Sequence, residues 1–209
     1  RSSDLLASAN AYASVDHNGV VTGKKIGNAT IVAVYQGQKI KRKLHIAGKK
    51  KIALDAGHQS RGDSRKEPVG PGSSVRKARV AGGATGVASR VPEYKFTLSV
   101  AKRLQKELKK RGYEVYMVRT KNNVNISNKK RAMLANKSGA DIYIRIHGDS
   151  SGSRGVKGAS IFYPSARNPY VSRLSRSSKR LSKKLLNAYC KKTGIKKRGC
   201  SGRDDLTGT

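Results

Sequence analysis

From residue 50 onward, short apolar runs alternate with amphipathic stretches, and this alternation limits the fold more than any other feature of the chain. Ile52-Ala53-Leu54 reads as a buried strand that delivers Asp55-Ala56-Gly57-His58 into a turn. Residues 59–92 are rich in Gly, Ser, Arg and Pro and show no period, which predicts a long loop of the kind that is usually functional or mobile. Pro92-Glu93 opens a helix in which Phe96, Val100, Leu104 and Leu108 recur at four-residue spacing, Leu98 and Ala101 widen the stripe, and Gly112 stops it. Residues 113–120 have strand character. A second helix follows Asn125-Ile126-Ser127, runs through Ala132, Met133 and Ala135, and ends at Gly139. Residues 141–146 form the next strand and lead into His147, and residues 159–163 form another. The last helix is predicted over 168–192, with Val171, Leu174, Leu181, Leu185 and Tyr189 on its apolar stripe. Strands and helices in this order predict an α/β domain with a mostly parallel sheet flanked by helices.

The first 48 residues follow a different rule. Residues 29–35 and 39–46 alternate apolar and polar positions, and Asp16-His17-Asn18-Gly19 and Gln36-Gly37-Gln38 supply turn chemistry between strands. Residues 14–38, with Asp-x-x-Gly, then Val-x-Thr-Gly, then a Gly-x-Ala-Thr-Ile strand, resemble the second half of the group 2 bacterial immunoglobulin-like domains. A sandwich of that type needs about seven strands in roughly 100 residues. Residues 1–48 are therefore expected to be a short, partial, all-β immunoglobulin-like module, and residues 49–209 a second domain.

Of four histidines, His58 and His147 directly follow predicted strands, whereas His17 and His45 fall in the hairpin region and read as surface residues. In an open α/β sheet the carboxyl ends of the strands share one edge, where ligands bind. Two imidazoles can meet there, and Glu93, opening the first helix, lies on the same side. Two His and one Glu suit zinc, whose catalytic sites take three protein ligands and keep one position open. Each residue also has a plainer reading, as a hydrogen-bonded turn residue or as an acid at a helix N-terminus.

Four segments narrow these alternatives: IALDAGH (52–58), VPEYKFTLSVAKRLQKELKKRGYEVYMVR (91–119), the helix from Asn125-Ile126-Ser127 through Arg131 to Ala135-Asn136, and GADIYIRIH (139–147). Together they resemble the zinc-dependent N-acetylmuramoyl-L-alanine amidases of the amidase-3 type, over residues 50–209. The resemblance implies Zn2+ held by His58, Glu93 and His147. It also implies hydrolysis of the peptidoglycan amide between N-acetylmuramic acid and L-alanine by zinc-activated water. Asp55 would orient the site from behind, or could equally cap the turn, and the 60–90 loop would line a groove for the glycan strand. The family uses a second Glu as general base, on a strand beyond the segment that residues 204–209 resemble. No Glu follows Glu114, so that residue is expected beyond residue 209, leaving no catalytic Glu in the chain and its second domain short at the C-terminus.

Charge enters last. The chain carries 46 Lys and Arg against 12 Asp and Glu, a net +34, which calls for a polyanionic partner or tolerates self-repulsion. Trp is absent, only Phe96 and Phe162 are present, and no basic-aromatic interleaving suits base stacking, which argues against nucleic acid. A bacterial wall-associated or secreted enzyme, with anionic wall polymers held by its basic surface, is the expectation; a catalytically incomplete module that binds polyanions or the cell wall is the alternative. No run approaches the roughly 20 apolar residues of a membrane-spanning helix. Cys190 and Cys200, ten positions apart, read equally as a bonded pair or as free thiols.

Overall fold

The computed structural model describes residues 11–48 and 50–207. The first ten residues of the expected N-terminal module, Lys49, and the last two residues of the 204–209 segment lie outside the described residues. The chain divides into two compact units, Arg1–Lys50 and Lys51–Thr209.

The first unit holds two antiparallel pairs. β1 (Ala13–Val15) pairs with β2 (Val21–Gly23), and β3 (Gly27–Tyr35) with β4 (Gln38–Ile46) in unbroken register from Gly27 opposite Ile46 to Tyr35 opposite Gln38. The first turn is closed by the Asp16 carboxylate, which accepts from the backbone N–H of Asn18 and Val20, both at 2.9 Å. The second turn places Gln36 and Gly37 at φ 47° and 79°, the two successive positive values that a two-residue hairpin of matching twist requires. His17 and His45 are exposed on this unit.

The second unit runs β5 (Lys51–Ala56), β6 (Asp63–Pro68), β7 (Arg76–Val80), α1 (Glu93–Lys110), β8 (Glu114–Met117), α2 (Asn128–Lys137), β9 (Ile142–Ile146), β10 (Ala159–Pro164), a 3-10 turn (Ser172–Leu174), α3 (Ser175–Thr193) and β11 (Lys197–Arg203). β5 is the middle strand of a parallel sheet ordered β8-β5-β9. Its alternation decides what each face meets. Ala56 packs with Leu98 and Ala101 of α1, while Ala53, on the opposite face, packs with Ala135 of α2 and Val118. Leu54 and Leu98 are buried, each contributing about 1.5–3 kcal/mol. The end of α1 is set by Gly112 at φ 82°, with the N–H of Tyr113 reaching the Leu108 carbonyl and that of Gly112 the Lys109 carbonyl, a left-handed cap that only glycine enters freely.

Three expectations need correction. Residues 59–92 are not one loop, because β6 and β7 pair antiparallel within them. Their alternation is carried by buried acids, Asp63 and Glu67, between exposed basic and polar residues, so no apolar period betrays it. The α1 stripe holds at Leu98 and Ala101, which are buried together with Thr97, but Phe96 is 49% exposed. The last helix starts only at Ser175, and its buried positions are Ser182 and Leu186, with Leu181 and Leu185 40% and 41% exposed. β11, glycine-rich and without an apolar run, was not expected as a strand. It lies parallel to β10, with α3 packed on both.

Candidate metal centre

β5 and β9 are parallel neighbours, so both end on one edge and deliver His58 and His147 to the same place. Glu93 joins them from the first turn of α1, with Pro92 extended before it as the residue at which the helix begins. The ligating atoms form a nearly equilateral triangle. His58 Nε2 lies 3.0 Å from His147 Nδ1 and 3.2 Å from Glu93 Oε1, and His147 Nδ1 lies 3.0 Å from Glu93 Oε1. A tetrahedral ion with bonds of about 2.0 Å separates its ligands by about 3.3 Å. The rings stand edge to face at 87°, with centroids 4.7 Å apart, which leaves both nitrogen lone pairs free to converge. Two imidazole nitrogens at this distance repel unless a proton or a cation lies between them. The residues therefore fit a zinc ion.

Two of the donors are held by their surroundings. His58 Nδ1 lies 2.8 Å from the Ala81 carbonyl, which fixes the proton on Nδ1 and leaves the Nε2 lone pair for a ligand. Glu93 Oε2 accepts from the N–H of Ala84 and Oε1 from that of Gly148, both at 2.9 Å. Burial alone would raise the Glu93 carboxyl, but these two N–H groups and the adjacent imidazoles outweigh it and hold the carboxyl below its ordinary value. Burial, reinforced by neighbouring His58, pulls the His147 imidazole down despite the pull of Glu93 in the other direction. At neutral pH the centre is thus one carboxylate and at least one neutral ring. The side chains of His58 and Glu93 are 14% and 7% exposed and that of His147 is 44% exposed, so the centre opens on the His147 side.

The wall behind His58 is residues 81–84. A Cβ on Gly83, at φ 82°, would lie 2.9 Å from His58 Cγ and 3.2 Å from Glu93 Oε2, and one on Gly57 would lie 2.5 Å from His147 Cε1. Both sites need glycine because an imidazole, and at Gly57 also the Ile146 carbonyl, occupies the space a Cβ would take. An open pocket of about 610 Å³ lies beside the turn after β5, lined by Gln59, residues 61–65 and residues 123–125 but by none of the three donors.

Asp55 does not stand behind His58. Strand alternation turns it to the α2 face, where its carboxylate accepts from Arg131 (2.6 Å), Arg145 (2.7 Å) and the Tyr143 hydroxyl (2.7 Å). Sequence reading assigned no role to Arg119 or Arg131, both buried, whose guanidiniums hold the carbonyls of the 56–58 turn. A signal existed for Arg131: it lies four residues before Ala135, on the face of α2 that meets the sheet.

A family model described as N-acetylmuramoyl-L-alanine amidase matches residues 52–207. Solved structures of similar fold include the apo form of the N-acetylmuramyl-L-alanine amidase Ami1 from Mycobacterium abscessus, at 24% identity and a TM-score of 0.65 over 78% of each chain. Ami1 from Mycobacterium smegmatis matches at 24% identity and 0.65, over 76% of this chain and 75% of that one. The N-acetylmuramoyl-L-alanine amidase from Clostridium difficile 630 matches at 24% and 0.57, over 76% and 72%. No curated protein sequence matches. The solved structures support the parallel sheet and its flanking helices, and the family match spans the strand ends and the helix start that carry His58, Glu93 and His147: the chain belongs to the N-acetylmuramoyl-L-alanine amidases, hydrolases of peptidoglycan.

Proposed function

We propose that one zinc ion, held by His58 Nε2, Glu93 Oε1 and His147 Nδ1, serves cleavage of the amide between N-acetylmuramic acid and L-alanine. The observation that carries this reading is the triangle of 3.0, 3.0 and 3.2 Å, met by three donors from three different elements. Bound zinc would polarise the scissile carbonyl and bring the pKa of a coordinated water to about 7. The chain's own residues set the stage. The Ala81 carbonyl selects the His58 tautomer, the N–H groups of Ala84 and Gly148 keep Glu93 ionised and oriented, and half-exposed His147 marks the side from which substrate enters.

Dialysis of the metal-loaded chain followed by metal analysis tests this. About one zinc per chain is expected at neutral pH. Because His147 sits below its ordinary value, protons displace the metal only as the pH falls below the ordinary imidazole range. A chain that retains no zinc at neutral pH contradicts the reading.

The same reading puts the protein at the bacterial wall, secreted or wall-associated, with residues 1–48 as a partial group 2 immunoglobulin-like module and residues 49–209 as the amidase domain. The two hairpins of the first unit and their turn residues support the former. Among the described residues no helix is long and apolar enough to cross a membrane. Seven lysines and arginines and no acid lie on α3, which supports contact with anionic wall polymers. Retention on an immobilised polyol phosphate is expected to fall steeply with added salt; salt-independent retention contradicts it.

A further inference from the structure

After Ala56, β5 leaves the sheet, and three successive carbonyls, of Ala56, Gly57 and His58, need donors. Two buried guanidiniums supply them. Arg119, just past β8, gives Nε to Ala56 O at 2.8 Å and Nη2 to Gly57 O at 3.1 Å. Arg131, on α2, gives Nη1 to Ala56 O at 3.0 Å and Nη2 to His58 O at 2.9 Å. Thr97 Oγ1 completes the set, donating to Gly57 O at 2.8 Å. The arginines are themselves fixed: Arg131 by Asp55, Gln59 Oε1 and the Ile126 carbonyl, Arg119 by the carbonyls of Tyr94 and Lys121 and by Asn122 Oδ1.

His58 itself stands at φ 58°, a left-handed conformation that residues with a Cβ seldom adopt. The Arg131 guanidinium takes the carbonyl of this residue, so that the same backbone that aims the imidazole at the other two donors is held from behind. We infer that Arg119 and Arg131 form a clamp that positions His58 as a metal ligand, Arg131 acting directly on its backbone and Arg119 on the two residues before it. The clamp needs planar, forked donors that serve two carbonyls at once. A lysine ammonium is a point charge on a flexible stem and cannot reproduce that geometry.

This inference rests on the zinc reading of His58, and the experiment separates the two. Cobalt(II) replaces zinc as a visible probe in the wild-type chain and in Arg131→Lys, with the fold of each checked by near-ultraviolet circular dichroism. The expected result is a folded variant that binds cobalt about 10- to 100-fold more weakly, with ligand-field bands changed in position or intensity. An arginine that only fills the interior would leave the bands of a folded variant unchanged. A folded Arg131→Lys with wild-type affinity and spectrum overturns the clamp. Where Arg131→Lys does not fold, Arg119→Lys is read by the same two criteria, and failure of both to fold assigns the arginines to stability alone and overturns it as well. A wild-type chain that binds neither cobalt nor zinc overturns the metal reading instead.

Discussion

His147→Ala is expected to abolish zinc retention while leaving the fold in place. The substitution removes one corner of the triangle and leaves His58 and Glu93, two protein donors where a catalytic zinc takes three. The loss in affinity should exceed the 10- to 100-fold that removal of an outer partner costs, so a dialysed sample holds no metal. Stability should change by less than about 1 kcal/mol in the metal-free protein, because the ring is 44% exposed and its removal opens no cavity in the core. Metal analysis beside thermal unfolding checks both halves. A variant that keeps its zinc removes His147 from the ligand set.

The largest effect on stability is expected from Asp55→Asn. The Asp55 carboxylate is fully buried and is the acid on which two guanidiniums converge, Arg131 at 2.6 Å and Arg145 at 2.7 Å. A third guanidinium, Arg119, is buried close by; burial, and then the Arg131 cation, bring it down to about 10, still charged at neutral pH. An asparagine offers one acceptor oxygen and turns an NH2 group toward a guanidinium, donor against donor. Removing one partner of a buried pair costs about 3–5 kcal/mol. For a unit of this size that lowers the unfolding midpoint by roughly 10 °C. The partners left behind sit on β9 and α2, so the damage spreads through the sheet and α2 together. A midpoint within about 2 °C of wild type would show that the remaining partners, the 56–58 carbonyls for Arg131 and Tyr143 and Asn128 for Arg145, suffice to hold the two arginines.

The two effects differ in kind, and that difference bears on how much of the molecule its sequence revealed. That His58, Glu93 and His147 meet at one edge is legible because each follows an apolar strand or opens an amphipathic helix, and parallel strands share a carboxyl edge; that they form a ligand set comes from the family resemblance. The roles of Ala81, Ala84 and Gly83 were not legible, since they act through backbone groups and through the lack of a side chain. Asp55, expected to orient the site or cap the turn, touches no donor directly: alternation along β5 sends it to the α2 face with Ala53, where it meets Arg131, Arg145 and Tyr143. Arg119 and Arg131 were hidden by their residue type, in a chain where most of the 46 basic side chains are expected at the surface. The β6–β7 hairpin escaped notice for a related reason: the inward positions of β6 are acids, paired with Arg65 and with the start of α2, rather than apolar residues. The apolar stripe of α3 falls a fraction of a turn away from its buried face, and that of α1 includes the exposed Phe96, because long aliphatic and aromatic residues also line the exposed margins.

The zinc centre is tested most directly by an anomalous-difference map collected at the zinc absorption edge from crystals of the zinc-loaded chain. One peak is expected, at about 2.0–2.2 Å from His58 Nε2, Glu93 Oε1 and His147 Nδ1 together, with its remaining position toward the exposed side of His147. A zinc-loaded crystal with no peak between these three atoms, or with its peak on other residues, would contradict the assignment.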